Sequence, residues 1–304
     1  MVDESLCLFY STLVLQGHVL AGIAYGVVLI LFLLCSRLLL DRVNSSKDRT
    51  RRSVLLLSYV ICMFVLCTIM IASNARYVQQ LVRSKCELLA SGPVPGRFSL
   101  FSVVGGIAGD VCYVLANWGV DGVLIWRCMS MYGDSTARRW VTTISAIMGI
   151  LSFVVGSLLI IDALGFRSLV LYVTVTFWIH SGTSLAINLT ITIMIVARLL
   201  FYRYRVTSIL GSSHGAPFMS VTSMIVESAT LVIIFSTSVL ILCSLGPSYY
   251  VVIPLQALSQ MQVVASFWII FRIAQGKAWS KDNSDDYIMS RSIAFMPSES
   301  NNEF

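Results

Sequence analysis

The sequence predicts an all-α polytopic membrane protein with seven transmembrane helices, the N-terminus outside and the C-terminus cytoplasmic. Three observations carry this expectation. Hydrophobic residues make up 57% of the 304 and charged residues only 12%, with a mean hydropathy of +0.83, whereas soluble domains carry roughly a quarter charged residues. Apolar runs recur along the whole chain, each near or above the roughly 20 residues that cross a bilayer. The loops between them are alternately basic and bare, as insertion topology requires.

In chain order, residues 1–14 hold Asp3 and Glu4 but no Lys or Arg, so the basic start of a cleaved signal peptide is missing. They read as a short extracellular tail. Apolar runs follow at about 15 to 40, 53 to 73, 100 to 128, 141 to 161, 172 to 200, 221 to 245 and 250 to 271, giving a membrane domain over 15–273. Residues 274–304, with Asp282, Asp285, Asp286 and many serines, read as a disordered cytoplasmic tail. No polar segment is long enough for an independent core.

Orientation comes from charge. Sixteen Lys and Arg fall in or beside the first, third and fifth loops and the tail, among them Arg42, Arg138, Arg203 and Lys277. The opposite side has five, namely Arg76, Arg83, Lys85, Arg97 and Arg167. The basic side is therefore cytoplasmic. The net charge of +6 is explained by this distribution, and nucleic acid is excluded as a partner.

The second loop, about 74 to 97, contains Cys86 and the run Ser91-Gly92-Pro93-Val94-Pro95-Gly96, which cannot continue a helix. Cys7 and Cys86 are the two thiols on the oxidising side. Sequence leaves open whether they form a disulfide or remain unpaired. The sequons at Asn44 and Asn188 fall in a cytoplasmic loop and inside a helix, so neither is expected to carry a glycan.

The chemistry concentrates in the third span. Asp110, Asn117 and Asp121 recur at intervals of seven and four, which at about 100° per residue puts them on one stripe. Such a stripe faces protein or water. Counted from the cytoplasmic ends, Asp121, Asn188, Glu227 and Gln262 lie about 12 to 15 Å deep at 1.5 Å per residue, so four spans offer polar groups at one level. Two readings stand side by side. The layer is a ligand pocket, ion site or proton path, or its members bond one another and hold the bundle together. Nearer the outside, Asp110, Asn117, Trp178, His180 and Tyr250 form a candidate outer ligand pocket. Arg127 reads as an anchor reaching the headgroups. The pairs Gly22 with Gly26 and Gly105 with Gly109 have the spacing that lets helices pack closely.

Absences narrow the classes. His18, His180 and His214 show no metal-binding spacing, so no metal site and no membrane metalloenzyme is expected. The seventh span has no lysine for a retinal Schiff base, and no phosphate loop or GxSxG elbow occurs. The expectation is no enzyme and no cofactor.

Five strings form a recognisable set: Asp121-Gly122 with Ile125-Trp126-Arg127; Asn188-Leu189-Thr190 leading to Arg198-Leu199-Leu200; Leu210-Gly211 with His214-Gly215; Val226-Glu227-Ser228-Ala229; and Arg272-Ile273-Ala274-Gln275-Gly276-Lys277-Ala278-Trp279. Together they resemble a large family of uncharacterised seven-pass integral membrane proteins from mushroom-forming (basidiomycete) fungi. The resemblance covers about residues 105 to 280 and implies a fungal membrane protein without naming a substrate. The layout is also similar to that of G-protein-coupled receptors. The motifs differ, since Trp126-Arg127-Cys128 stands where an acidic-Arg-aromatic triplet would be, the sixth span has no proline, and Pro254 lies at the outer end of the seventh.

Function is then expected to be that of a receptor-like sensor in the plasma membrane, binding a small molecule or lipid on the outside and meeting a cytoplasmic signalling partner through Arg203, Arg205 and the tail. The alternative is a transporter or channel in which Asp121 and Glu227 carry protons or ions. A scaffold without ligand is the third reading.

Overall fold

A computed structural model describes residues 4–45, 50–83, 106–132, 138–164, 170–210, 216–245 and 249–294. Its helices are α1 (Glu4–Ser45), α2 (Thr50–Arg83), α3 (Gly106–Met131), α4 (Arg138–Ala163), α5 (Val170–Leu210), α6 (Ala216–Ser244) and α7 (Val252–Ala294), with a single 3-10 turn, Tyr249–Val251, leading into α7. No strand occurs among the described residues. Each apolar run of the sequence is thus one helix. Side chains from spans that cannot hydrogen-bond to lipid leave the α-helix as the only open-ended structure that satisfies its own backbone.

Six of these helices, all but α3, are long and apolar enough to cross a membrane. The chain is therefore a multi-pass membrane protein whose immediate surroundings are a lipid bilayer. Helix α3 falls short because Asp110, Asn117, Asp121 and Arg127 interrupt its apolar sequence. Its neighbours make up for that. Successive helices pack side by side, α1 closes the ring against α7, and α3 additionally reaches α5 and α7 across the middle. A polar helix is tolerated in hydrocarbon when other helices cover it. The second inner helix is α7, whose apolar segment is 67% buried against 22–39% for the other five.

The end of the bundle that holds the starts of α1, α3, α5 and α7 is called the upper end below. Contacts fix the relative levels. Gly119 of α3 lies against Met63 of α2, with only 2.6 Å between Met63 Sδ and the place of a Cβ. Gly156 of α4 lies against Trp118, 2.5 Å from Nε1 on the same measure, and Gly17 of α1 against Gln256 and Ile253 of α7. With Gly149 of α4, 3.2 Å from Ile125 Cδ1 on the same measure, these glycines are the close approaches between helices among the described residues. Gly22 and Gly26, expected to pack, border open space instead, since their spacing says that they share a face but not which way that face turns.

Outward-facing hydroxyls are satisfied within their own helices. Thr143 donates to the carbonyl of Arg139, Ser157 to Phe153, Thr230 to Val226 and Ser238 to Ile234, all at 2.7–2.9 Å. Lipid offers no acceptor, so back-bonding to the preceding turn lets a serine sit on the apolar surface.

Helix α1 already starts at Glu4, within the stretch read as an extracellular tail, and α7 continues to Ala294, within the stretch read as a disordered cytoplasmic tail. No proline or glycine interrupts either stretch between residues 4 and 16 or 277 and 294, so nothing in the chain stops the helix. The Cys7–Cys86 pairing lies outside the described side chains.

Candidate functional site

The middle of the bundle holds a chain of hydrogen bonds that joins four helices. Ser152 Oγ of α4 donates to Asp121 Oδ2 at 2.6 Å, and Asn117 Nδ2, one turn above on α3, approaches the same oxygen at 3.5 Å. Asn117 Oδ1 accepts from Ser184 Oγ of α5 at 3.1 Å, and Ser184 Oγ in turn accepts from Gln262 Nε2 of α7 at 3.4 Å. Asn188 adds a bond from Nδ2 to the Ser184 carbonyl at 2.9 Å. All six side chains are buried. Trp118 supports the α3–α4 junction by donating from Nε1 to the Ser152 carbonyl at 3.2 Å while stacking on Phe153.

Of the four residues expected in this layer, the structure brings Asp121, Asn188 and Gln262 together through Ser184 and Asn117. Glu227 is not among them. It is exposed on the surface of α6, one residue before the buried Ser228. A single residue turns a helix by about 100°, enough to carry Glu227 out of the interior.

Beside the layer, Val120 and Leu124 of α3, Asn188 and Thr192 of α5, Ser228 and Val232 of α6 and Ser266 and Ile269 of α7 border a cavity of about 20 Å³. That is room for about one water molecule.

The upper third is different. Asp110 is only 5% exposed, yet its Oδ1 has no hydrogen-bond partner. His180 of α5 is buried with Nε2 unpartnered, its ring edge-on to Tyr113 at 5.9 Å. Gln256 and Gln260 of α7 are buried at 1% and 0% exposure, and no amide atom of either has a partner. Asn74 Oδ1 of α2 and Ser181 Oγ of α5 share this condition. Buried polar groups are nearly always paired; comparable orphans also occur lower in the bundle, at Ser36, Tyr59, Asp121 Oδ1, Arg127 Nη1 and Ser145, but Gln256 and Gln260 are the side chains with both amide atoms unpartnered among the described residues.

Of the expected outer pocket, Asp110, Asn117 and His180 are buried on the facing sides of α3 and α5, whereas Trp178 is half-buried and Tyr250 is 52% exposed. Tyr250 packs edge-on against Phe9 of α1 at 5.8 Å, closing the α1–α7 seam rather than lining the interior. Arg127, expected at the headgroups, is also buried, with Nη1 unpartnered. Sequence reasoning missed Ser152 and Ser184. A serine in an apolar helix bonds its own backbone as readily as a neighbour, and neither residue stands in a pattern that distinguishes the two.

Comparison of this chain with protein-family models, with curated proteins and with solved structures finds no match.

Proposed function

We propose that this chain is a receptor-like sensor of a small polar molecule or of a lipid headgroup, spanning the membrane seven times with the N-terminus outside. The observation that supports this reading is the contrast between the two layers. Asp110 Oδ1, His180 Nε2 and the amides of Gln256 and Gln260 are buried without partners, above and beside a layer in which comparable groups are bonded across four helices. A ligand that carries both donors and acceptors would satisfy Asp110, His180, Gln256 and Gln260. Because α3, α5 and α7 contribute to both layers, such a ligand shifts the helices that the Asp121 chain ties together. The cytoplasmic ends, rich in arginine, then present the change to a signalling partner.

The basic side of the loops supports the orientation, and the resemblance to seven-pass proteins of mushroom-forming fungi belongs to the same reading, as do the plasma membrane as residence and the absence of catalysis. The transporter alternative differs in access. In a sensor the upper layer opens to one face only, whereas a carrier exposes Asp121 to both.

Side-specific thiol labelling tests this. Single cysteines at 110, 121 and 256 are introduced with the native cysteines removed and folding verified. Labelling of 110 and 256 from outside alone supports the sensor, and labelling of 121 from both faces overturns it in favour of a carrier. No labelling at any position removes the pocket.

A further inference from the structure

Two side chains of opposite charge stand on the outer surface of the bundle at one depth. Arg37 of α1 is exposed, two residues past Cys35, whose thiol meets the Phe267 carbonyl of α7 at 3.6 Å. Arg42, one further stretch down α1, bonds the Ala274 carbonyl. Both contacts join residues 232 apart in sequence, so α1 and α7 descend in step and Arg37 is level with Ile269. Ile269 and Ser228 border the same cavity. The residue before Ser228 is Glu227, exposed on α6, which therefore lies within about one helical turn of Arg37 in height.

Neither charge is well placed on its own surface. Arg37 is seven residues above Asn44, where the apolar segment of α1 ends, about 10 Å at 1.5 Å per residue. Glu227 shares the exposed side of α6 with Val226, Leu231 and Ile234. Among the described residues neither has an ion-pair partner. An arginine reaches toward water along its own stem. A glutamate is too short for that, and a carboxylate facing hydrocarbon stays costly until a cation comes to it. The other exposed arginines of the lower half, Arg51, Arg138 and Arg139, stand in the first turns of α2 and α4, well below the cavity.

Within one chain α7 stands between α1 and α6 and packs against both. A second copy related by a two-fold axis along the membrane normal, with the outer side of α7 facing its counterpart, sets α1 of each copy against α6 of the other. Arg37 then meets the partner's Glu227, and Glu227 the partner's Arg37. The half-buried Met261 and Trp268 of α7 form the floor between the two ridges. We infer that this protein forms a two-fold homodimer through the face made by α1, α7 and α6, held by these two reciprocal ion pairs. The pairs act on association and not on the folding of one protomer. They stand or fall independently of any ligand in the upper third.

The test is energy transfer between donor-labelled and acceptor-labelled full-length protein in phosphatidylcholine vesicles over a range of protein-to-lipid ratios. The unaltered protein is expected to associate saturably as a dimer. Arg37→Glu and Glu227→Arg each set like charges against one another at both pairs and are expected to raise the dissociation constant about a hundredfold. The variant carrying both reversals restores association. A second measurement needs no charge change. With the native cysteines removed, Leu33→Cys combined with Leu231→Cys, one turn above Arg37 and Glu227 and exposed at 52% and 41%, is expected to cross-link into dimers with a bis-maleimide. Leu33→Cys combined with Ile147→Cys on the far side of the bundle is not. A monomer at every ratio overturns the proposal. So does association that Arg37→Glu leaves unchanged, which would assign Arg37 to Asp41, exposed one turn below on its own helix. Where the reversed variants fail to insert, absence of the Leu33→Cys and Leu231→Cys cross-link overturns it alone.

Discussion

This bundle buries two sets of similar polar side chains, one bonded across helices and one largely unpaired. In the middle, Asp121, Asn117 and Gln262 find Ser152 and Ser184 within hydrogen-bond reach. Asp110 and Gln256 nearer the upper end, and Gln260 beside Gln262, are as deeply buried, yet Asp110 Oδ1 and both amide atoms of each glutamine find no partner. The first arrangement stabilises the fold in the absence of anything else, since each pairing offsets a desolvation already incurred. The second costs stability and is retained only if something else is gained, the usual position of a binding site. Substitutions in the two layers should therefore move stability in opposite directions.

The largest effect is expected where the middle layer depends on backbone proximity. A Cβ at Gly156 would come within 2.5 Å of Trp118 Nε1 and 2.9 Å of Val114 Cγ1, both on the packed face of α3. Gly156→Val must push α4 away, breaking the Trp118 bond to the Ser152 carbonyl and drawing Ser152 off Asp121. We expect a loss of about 3 kcal/mol, read from unfolding in mixed micelles. A loss no greater than that of Gly22→Val, at a position bordering open space, would show that the α3–α4 contact does not hold the layer.

Ser152→Ala comes next. It removes the 2.6 Å donor to Asp121 Oδ2 and leaves the weaker Asn117 approach as the one remaining bond. The expected loss is about 1–2 kcal/mol, toward the upper end for an interhelical bond in a membrane because the acceptor is a carboxyl group. An unchanged midpoint would mean that the chain is incidental to stability.

For the unpaired amides the sign reverses. Gln260→Leu replaces a fully buried amide, none of whose polar atoms is bonded, by an apolar chain of similar volume. Stability of the ligand-free protein is expected to rise by about 1 kcal/mol, while any response to an outer ligand falls. A destabilised Gln260→Leu would show that the amide has partners after all, and the contrast between layers would collapse.

How much of this was legible beforehand depends on what periodicity can express. The seven apolar runs became seven helices, and the Asp110, Asn117 and Asp121 stripe turned inward, because an internal repeat fixes which residues share a face. Periodicity does not fix how that face is rotated in the bundle. Glu227 is expected in the layer by its depth alone, but the buried side of α6 is the one carrying Ser228, Val232, Ser236 and Val239. The glycines show the same limit, since the four-residue spacing of Gly22 and Gly26 drew attention while isolated Gly119 and Gly156 make the close contacts. Partners far apart in sequence, such as Ser152 and Asp121, emerge only once the helices are assembled.

Glu227 gives the smallest effect and the sharpest control. Its carboxylate is exposed on the outer face of α6, one residue from Ser228, which borders the cavity beside the paired layer. Glu227→Gln is expected to change stability by less than about 0.5 kcal/mol and to leave the bond from Ser152 to Asp121 intact. A carrier that used both carboxylates would lose its coupling in this variant. An unchanged unfolding midpoint in Glu227→Gln, set beside a lowered one in Asp121→Asn, would confine the polar contribution to stability to the paired layer and leave the exposed acid outside it.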